Sequence, residues 1–194
     1  MNNINRLRKD EAVLLVIDYQ TKMMPFITDG ESVVAESAKL IKGCRILNLP
    51  ILVTQQYTKG LGETVETVAR ALTEDLGELA PEKGFEHIEK TSFSTMGEPD
   101  FEKALKATDR KSVLICGVEG HVCVRQTVLD LLALDYAVFV ASDCVSSRKK
   151  RDLKPALKEM AAAGAVLISS EAALFEMLEA AGKPGFKQIS NLVK

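Results

Sequence analysis

The chain has 194 residues, 46% hydrophobic and 27% charged, and its 25 basic and 27 acidic side chains leave a formal net charge of −2. That length suits one domain around one core, and the near-neutral balance offers neither a basic track for nucleic acid nor a cationic face for an anionic membrane. No run approaches the roughly 18 apolar residues of a membrane span, and the opening MNNINRLRKDEA lacks the apolar stretch of a signal peptide.

Along the chain, short apolar runs alternate with longer stretches of helical period, the mark of a parallel sheet covered on both faces. Ala12 to Ile17 (AVLLVI) reads as a buried strand ending in Asp18. A helix follows from about Glu31 to Leu47, with Val33, Val34, Leu40, Ile41 and Leu47 as its apolar stripe. Pro50 stops it, and Ile51-Leu52-Val53 begins the second strand. A second helix is expected between Glu63 and Leu72, then a loop, then a short third strand from His87 to Lys90. Pro99 to Ala107 forms the next helix, with Phe101 and Leu105 facing inward.

Ser112 to Cys116 (SVLIC) is the strongest strand signal; it runs through Gly117-Val118-Glu119-Gly120 into a helix from about His121 to Leu134. Tyr136 to Val140 is the fifth strand, Asp152 to Ala163 a helix, and Ala165 to Ile168 the sixth strand. A last helix from Ser170 to Ala180 takes Ser169 or Ser170 as its cap. After Gly182, the tail carries Phe186, Ile189 and Val193, an apolar face to dock on the body or on a neighbour. No fixed-period repeat appears. The expected architecture is a three-layer α-β-α domain over residues 1–194, a doubly wound six-stranded parallel sheet with a short tail from 182 to 194.

An open parallel sheet gathers its functional groups in a crevice at the carboxyl ends of its strands. Asp18 ends the first strand, Lys90 ends the third, and Cys123 opens the helix after the fourth. A nucleophilic thiol needs an electropositive setting or a nearby base. The helix start offers unpaired N–H groups, Lys90 a positive charge, and Asp18 a carboxylate to take the proton. The competing reading makes Cys123 one more small core residue, since free cysteine is among the most buried types; its place just past the strand-four turn favours the nucleophile. Cys116 inside a strand and Cys144 beyond the fifth are taken as structural. Four cysteines in a chain this long form no dense disulfide framework, so reduced thiols and a cytoplasmic location are expected.

The segments VIDYQ (Val16 to Gln20), EKTSFS (Glu89 to Ser94), CGVEGHVCVRQTVLDLL (Cys116 to Leu132) and ASDCVSSR (Ala141 to Arg148) resemble the isochorismatase-like cysteine hydrolases. The resemblance runs from about Asp10 to Leu178 and is greatest to the isochorismatase-domain-containing branch, through TQQYTKGLG and GVEGHVCVRQT. It implies a triad of Asp18, Lys90 and Cys123 that hydrolyses an amide, imide or related bond through a covalent thioester-type intermediate. It also implies a cis peptide at Val118–Glu119, turning the Glu119 N–H toward the same point as the Cys123 N–H to form an oxyanion hole. Nicotinamidase members of the family bind a metal through an aspartate and two histidines after the second strand; Thr54-Gln55-Gln56-Tyr57 stands there, so no metal and no cofactor are expected. A homo-oligomer is implied in the same way.

Phe26, Phe93 and His121 are further candidates for contact with a small-molecule substrate, each also readable as a core, cap or surface residue; Gln20 and Tyr57 are candidates too, each also readable as fixing a loop. Arg148 to Arg151 reads as a solvated helix start. Two other functions stay open. One is an aspartate-nucleophile phosphatase with Asp18 attacking and Asp143 holding magnesium, although Gln20 occupies the position where such enzymes want a second aspartate. The other is a binding or assembly protein that keeps the fold without turnover.

Overall fold

The computed structural model describes residues 6–194, so the first five residues of the segment weighed against a signal peptide lie outside the described residues. Six strands form one parallel sheet: β1 (Ala12–Ile17), β2 (Ile51–Gln56), β3 (Ile88–Lys90), β4 (Ser112–Val118), β5 (Ala137–Ser146) and β6 (Val166–Ile168), in the order β3-β2-β1-β4-β5-β6. This is the doubly wound three-layer architecture that the alternating pattern implies. The eight helices among the described residues are α1 (Gly30–Ile46), α2 (Thr58–Leu61), α3 (Glu66–Thr73), α4 (Pro99–Ala107), α5 (Arg125–Ala133), α6 (Lys150–Ala162), α7 (Ser170–Leu178) and α8 (Phe186–Leu192).

Both faces of the central strands are buried, which is why β1 and β4 read as unbroken apolar runs. Leu14, Val16, Leu114 and Cys116 pack beneath α1, α3, α7 and α8. Val13, Leu15, Ile17, Val113 and Ile115 pack beneath α4, α5 and α6, where Phe101, Leu105, Val128, Leu131 and Met160 meet them. Each such aliphatic side chain contributes about 1.5–3 kcal/mol by leaving water.

Several boundaries differ from the sequence reading. β2 runs on through Thr54, Gln55 and Gln56, because all three pair with β3 while Thr54 also pairs with β1. β5 continues past Val140 to Ser146 after a register shift against β4, which takes Cys144 into the strand rather than beyond it. The helix expected from His121 starts instead as a π-turn over Gly120–Val124, and α5 begins at Arg125. The one-turn α2 was not foreseen, since four residues carry no periodicity. Ser169 caps α7 by accepting the Ala172 N–H at 3.2 Å. The tail docks on the body: Ile189 of α8 is buried against the layer that holds α1.

The strand order reverses between β1 and β4, the switch point where open α/β sheets form their crevice. Asp18 follows one of these strands and Cys123 the turn after the other. The two strands come very close there: a Cβ on Gly117, whose φ is +149°, would lie 2.5 Å from the carbonyl oxygen of Ile17.

Candidate active site

Asp18 leaves β1 with φ at 55°, in the left-handed region that non-glycine residues seldom occupy. That turn drops its carboxylate into the interior at the carboxyl edge, where both it and Lys90 are fully buried. Asp18 Oδ1 accepts from Thr54 Oγ1 at 2.8 Å. Oδ2 faces Lys90 Nζ at 2.8 Å as an ion pair, yet it takes no hydrogen bond of regular angle. This oxygen therefore keeps a free lone pair.

Lys90 comes from β3, two strands away from β1, and its long side chain spans the end of β2. Its ammonium donates toward Gln56 Oε1, the Ser92 carbonyl at 3.2 Å and the Phe93 carbonyl at 3.1 Å, besides facing Asp18. Four acceptors surround three protons. A cation so enclosed is paired and hydrogen-bonded, as a buried charge must be.

Cys123 sits in the π-turn, where the charges of Asp18 and Lys90 both bear on its thiol. Of the four cysteines, all of them free thiols, it alone keeps some exposure, 6% against 0% for Cys44, Cys116 and Cys144. The thiol proton affinity departs from the electropositive setting expected at a helix start. Burial pushes the Cys123 thiol up to about 12, the Asp18 charge adds to that, and Lys90 offsets it only in part. The resting group is a thiol beside a carboxylate, not a preformed thiolate.

The π-turn also changes where the backbone N–H groups point. In an α-helical turn the Glu119 carbonyl would take the Cys123 N–H; here it takes those of Val122 at 3.0 Å and Val124 at 3.2 Å. The Val118–Glu119 peptide is cis, and among the described residues no acceptor takes the Glu119 N–H. The Glu119 carboxylate turns away from the sulfur, accepting from Arg148 Nε at 3.0 Å and the Arg148 N–H at 2.9 Å.

The other sequence candidates divide. Gln20 is buried, and its amide is spent on the chain: Nε2 donates to the Gln56 carbonyl at 3.0 Å and to the Gly62 carbonyl at 2.7 Å, while Oε1 accepts the Gln56 N–H at 2.8 Å. It joins β1 to β2 as a strut. His121 Nδ1 pairs with Ser147 Oγ at 3.0 Å. Phe26, Tyr57 and Phe93 stand on loops of the carboxyl edge and are 69%, 51% and 54% exposed, so they form a rim and not a closed wall. Asp143 caps α7 through the Ser170 N–H at 2.8 Å and Ser170 Oγ at 2.7 Å. That use of its carboxylate weakens the phosphatase reading. Sequence reasoning missed Thr54 and Gln56, whose only signal was their place at the end of a strand. Two hollows, about 380 Å³ along β2 and β3 and about 500 Å³ between α1 and α3, are not lined by Asp18, Lys90 or Cys123; the side chains that could do chemistry are elsewhere.

Residues 12–172 match the isochorismatase domain family. The chain is 37% identical over 197 residues to isochorismatase domain-containing protein 2 of Danio rerio, covering 100% of this chain and 92% of that protein. It is 39% identical over 199 residues to the secreted isochorismatase effector Isc1 of Phytophthora sojae, covering 98% and 88%. Among solved structures, the MAR1 ribonuclease from Caenorhabditis elegans superposes with a TM-score of 0.87 at 37% identity, over 97% of this chain and 92% of that one.

Proposed function

The chain belongs to the isochorismatase family, and from that premise we propose that it is a cysteine-nucleophile hydrolase of a small amide, imide or related substrate. The observation that carries this reading is the fully buried Asp18–Lys90 pair at 2.8 Å beside the one cysteine that both charges reach. In the proposed cycle, Asp18 Oδ2 takes the thiol proton as the sulfur attacks the substrate carbonyl. The oxyanion that forms is received by the N–H groups of Glu119 and Cys123, each worth roughly 3 to 4 kcal/mol in comparable sites. Asp18 then returns its proton to the leaving nitrogen, which departs and leaves a thioester on Cys123. Water, giving a proton to Asp18, attacks the thioester carbonyl; as the intermediate collapses, the proton passes to the sulfur and the acid is released. Lys90 has no role as a proton carrier in this scheme. Its protons are already directed at protein acceptors, so it serves as a fixed positive charge for the thiolate.

No cofactor, nucleic acid or membrane partner enters this reading. The ribonuclease name of the nematode neighbour brings a second chemistry to weigh. Arg148 to Arg151 is the cationic run beside Glu119, but Arg148 pairs with Glu119 at 3.0 Å, Lys150 with Asp29 at 2.9 Å and Arg151 with Asp152 at 3.8 Å. Among the described residues Lys149 is the one cation of that run without such a partner, little unpaired charge for a phosphodiester backbone, which favours the small molecule. The exposed aromatic rim is consistent with a homo-oligomer that covers it. Four free thiols favour the cytoplasm, and no described helix is long and apolar enough to cross a membrane.

An activated ester tests the nucleophile without knowledge of the natural substrate. Incubation with p-nitrophenyl acetate is expected to leave one acetyl group on the Cys123 peptide, seen by mass spectrometry, and none on Cys123→Ala. Acetylation that maps to another residue, or a protein that never acylates, would favour the binding-protein alternative.

A further inference from the structure

Glu98 precedes α4 as its N-terminal flanking residue, yet its carboxylate does not cap that helix. It turns back and collects three donors from the segment after β3: the Thr91 N–H at 2.9 Å, the Ser92 N–H at 3.0 Å and Ser92 Oγ at 2.7 Å, all on one oxygen. The same short segment supplies the Ser92 and Phe93 carbonyls that accept from Lys90 Nζ. We propose that Glu98 is a positioning residue for Lys90, clamping the 91–93 turn so that its carbonyls hold the ammonium against Asp18 and Cys123.

Charge-assisted bonds to an anionic acceptor are about twice as strong as neutral ones, so three on one carboxylate oxygen make a stiff clamp. Donation from the Ser92 N–H and hydroxyl and from the Thr91 N–H holds the Glu98 carboxyl below the usual carboxylate range. The clamp therefore stays ionised throughout the neutral range. Lys90 is the one charged group that bears on Glu98, and the charged groups that bear on Cys123 are Asp18 and Lys90. A displaced turn would thus reach the sulfur by one route, through the Lys90 ammonium. The inference rests on the proposed role of Lys90 at Cys123.

The test is the rate of iodoacetamide labelling at Cys123 at pH 8, followed by mass spectrometry on the folded protein. Without the clamp, the Lys90 charge draws back from the sulfur, the thiol ionises less readily, and Glu98→Ala is expected to label about tenfold more slowly. Glu98→Gln, which keeps an acceptor oxygen in place, should slow labelling by less than about threefold. Lys39→Ala breaks the surface pair between Lys39 and Glu36 on α1 and serves as a variant of altered stability remote from both the turn and Cys123; its rate should match the wild type. Should Glu98→Ala not fold, Glu98→Asp, one methylene shorter, gives the same slowing. A wild-type rate in the folded Glu98 variants, with Lys90→Met slowed, overturns the role of Glu98 and leaves that of Lys90 intact. A wild-type rate in Lys90→Met overturns both.

Discussion

Cys116 and Cys123 lie on one strand–turn unit, and both thiols are pushed up to about 12, mainly by burial. Around Cys116 the interior is closed: Tyr19, Cys44 and Cys144 share its layer, and Asp143 is the charged group that bears on it. Around Cys123 a carboxylate and an ammonium bear on the sulfur, and among the described residues no acceptor takes the Glu119 N–H of the neighbouring turn. Proton affinity at rest therefore does not distinguish the two thiols. On the proposed reading, what distinguishes them is the group ready to accept the proton and the donors ready to stabilise the anion once a substrate arrives.

The largest expected effect is on turnover. Cys123→Ser should lower p-nitrophenyl acetate hydrolysis by at least about 10³-fold, whereas Cys116→Ala should keep the rate within about twofold and lose about 1 kcal/mol of stability in urea unfolding. Equal loss of rate in both variants would erase the contrast between the two thiols.

Asp18→Asn sharpens it further, because two readouts move in opposite directions. Loss of the base should slow hydrolysis by about 10²- to 10⁴-fold. Loss of its negative charge removes one of the causes that raise the Cys123 thiol, so iodoacetamide labelling of Cys123 at pH 8 should become faster. Slower labelling would mean that Asp18 acts on the sulfur by something other than its charge.

The last effect is one the two thiols share. Unfolded, they ionise near their ordinary value of 9.0, and folded, near 12. The native state holds its protons longer, so this contribution to stability is whole below pH 9 and drains away as pH rises toward 12. The urea midpoint should fall between pH 9 and 11, and fall less steeply in Cys116→Ala.

Much of this was legible in the sequence. The apolar runs of β1 and β4 announced buried parallel strands, and the rule that places function at strand carboxyl ends pointed to Asp18, Lys90 and Cys123. The supporting groups were harder to see. Thr54, Gln56 and Glu98 are ordinary polar residues whose partners lie far along the chain or depend on how one turn folds back. The sequence leaves Gln20 open to two readings, a contact for substrate or a brace for its loop, and the amide is spent on the second. The electropositive setting expected of the helix start failed as a guide to the thiol, since burial and a neighbouring carboxylate outweigh one ammonium.

Gly117 bears on how this protein could be remade. Its Cα rests against the main chain of Ile17, with no space for even a methyl group, so the spacing between base and sulfur is set by two backbones in contact. No choice of side chain can tune that spacing in small steps. Alanine at this position would prise β4 from β1 and carry Cys123 away from Asp18. On the proposed reading, new substrate preferences would have to be built in the Phe26, Tyr57 and Phe93 loops, around a centre held at constant dimensions.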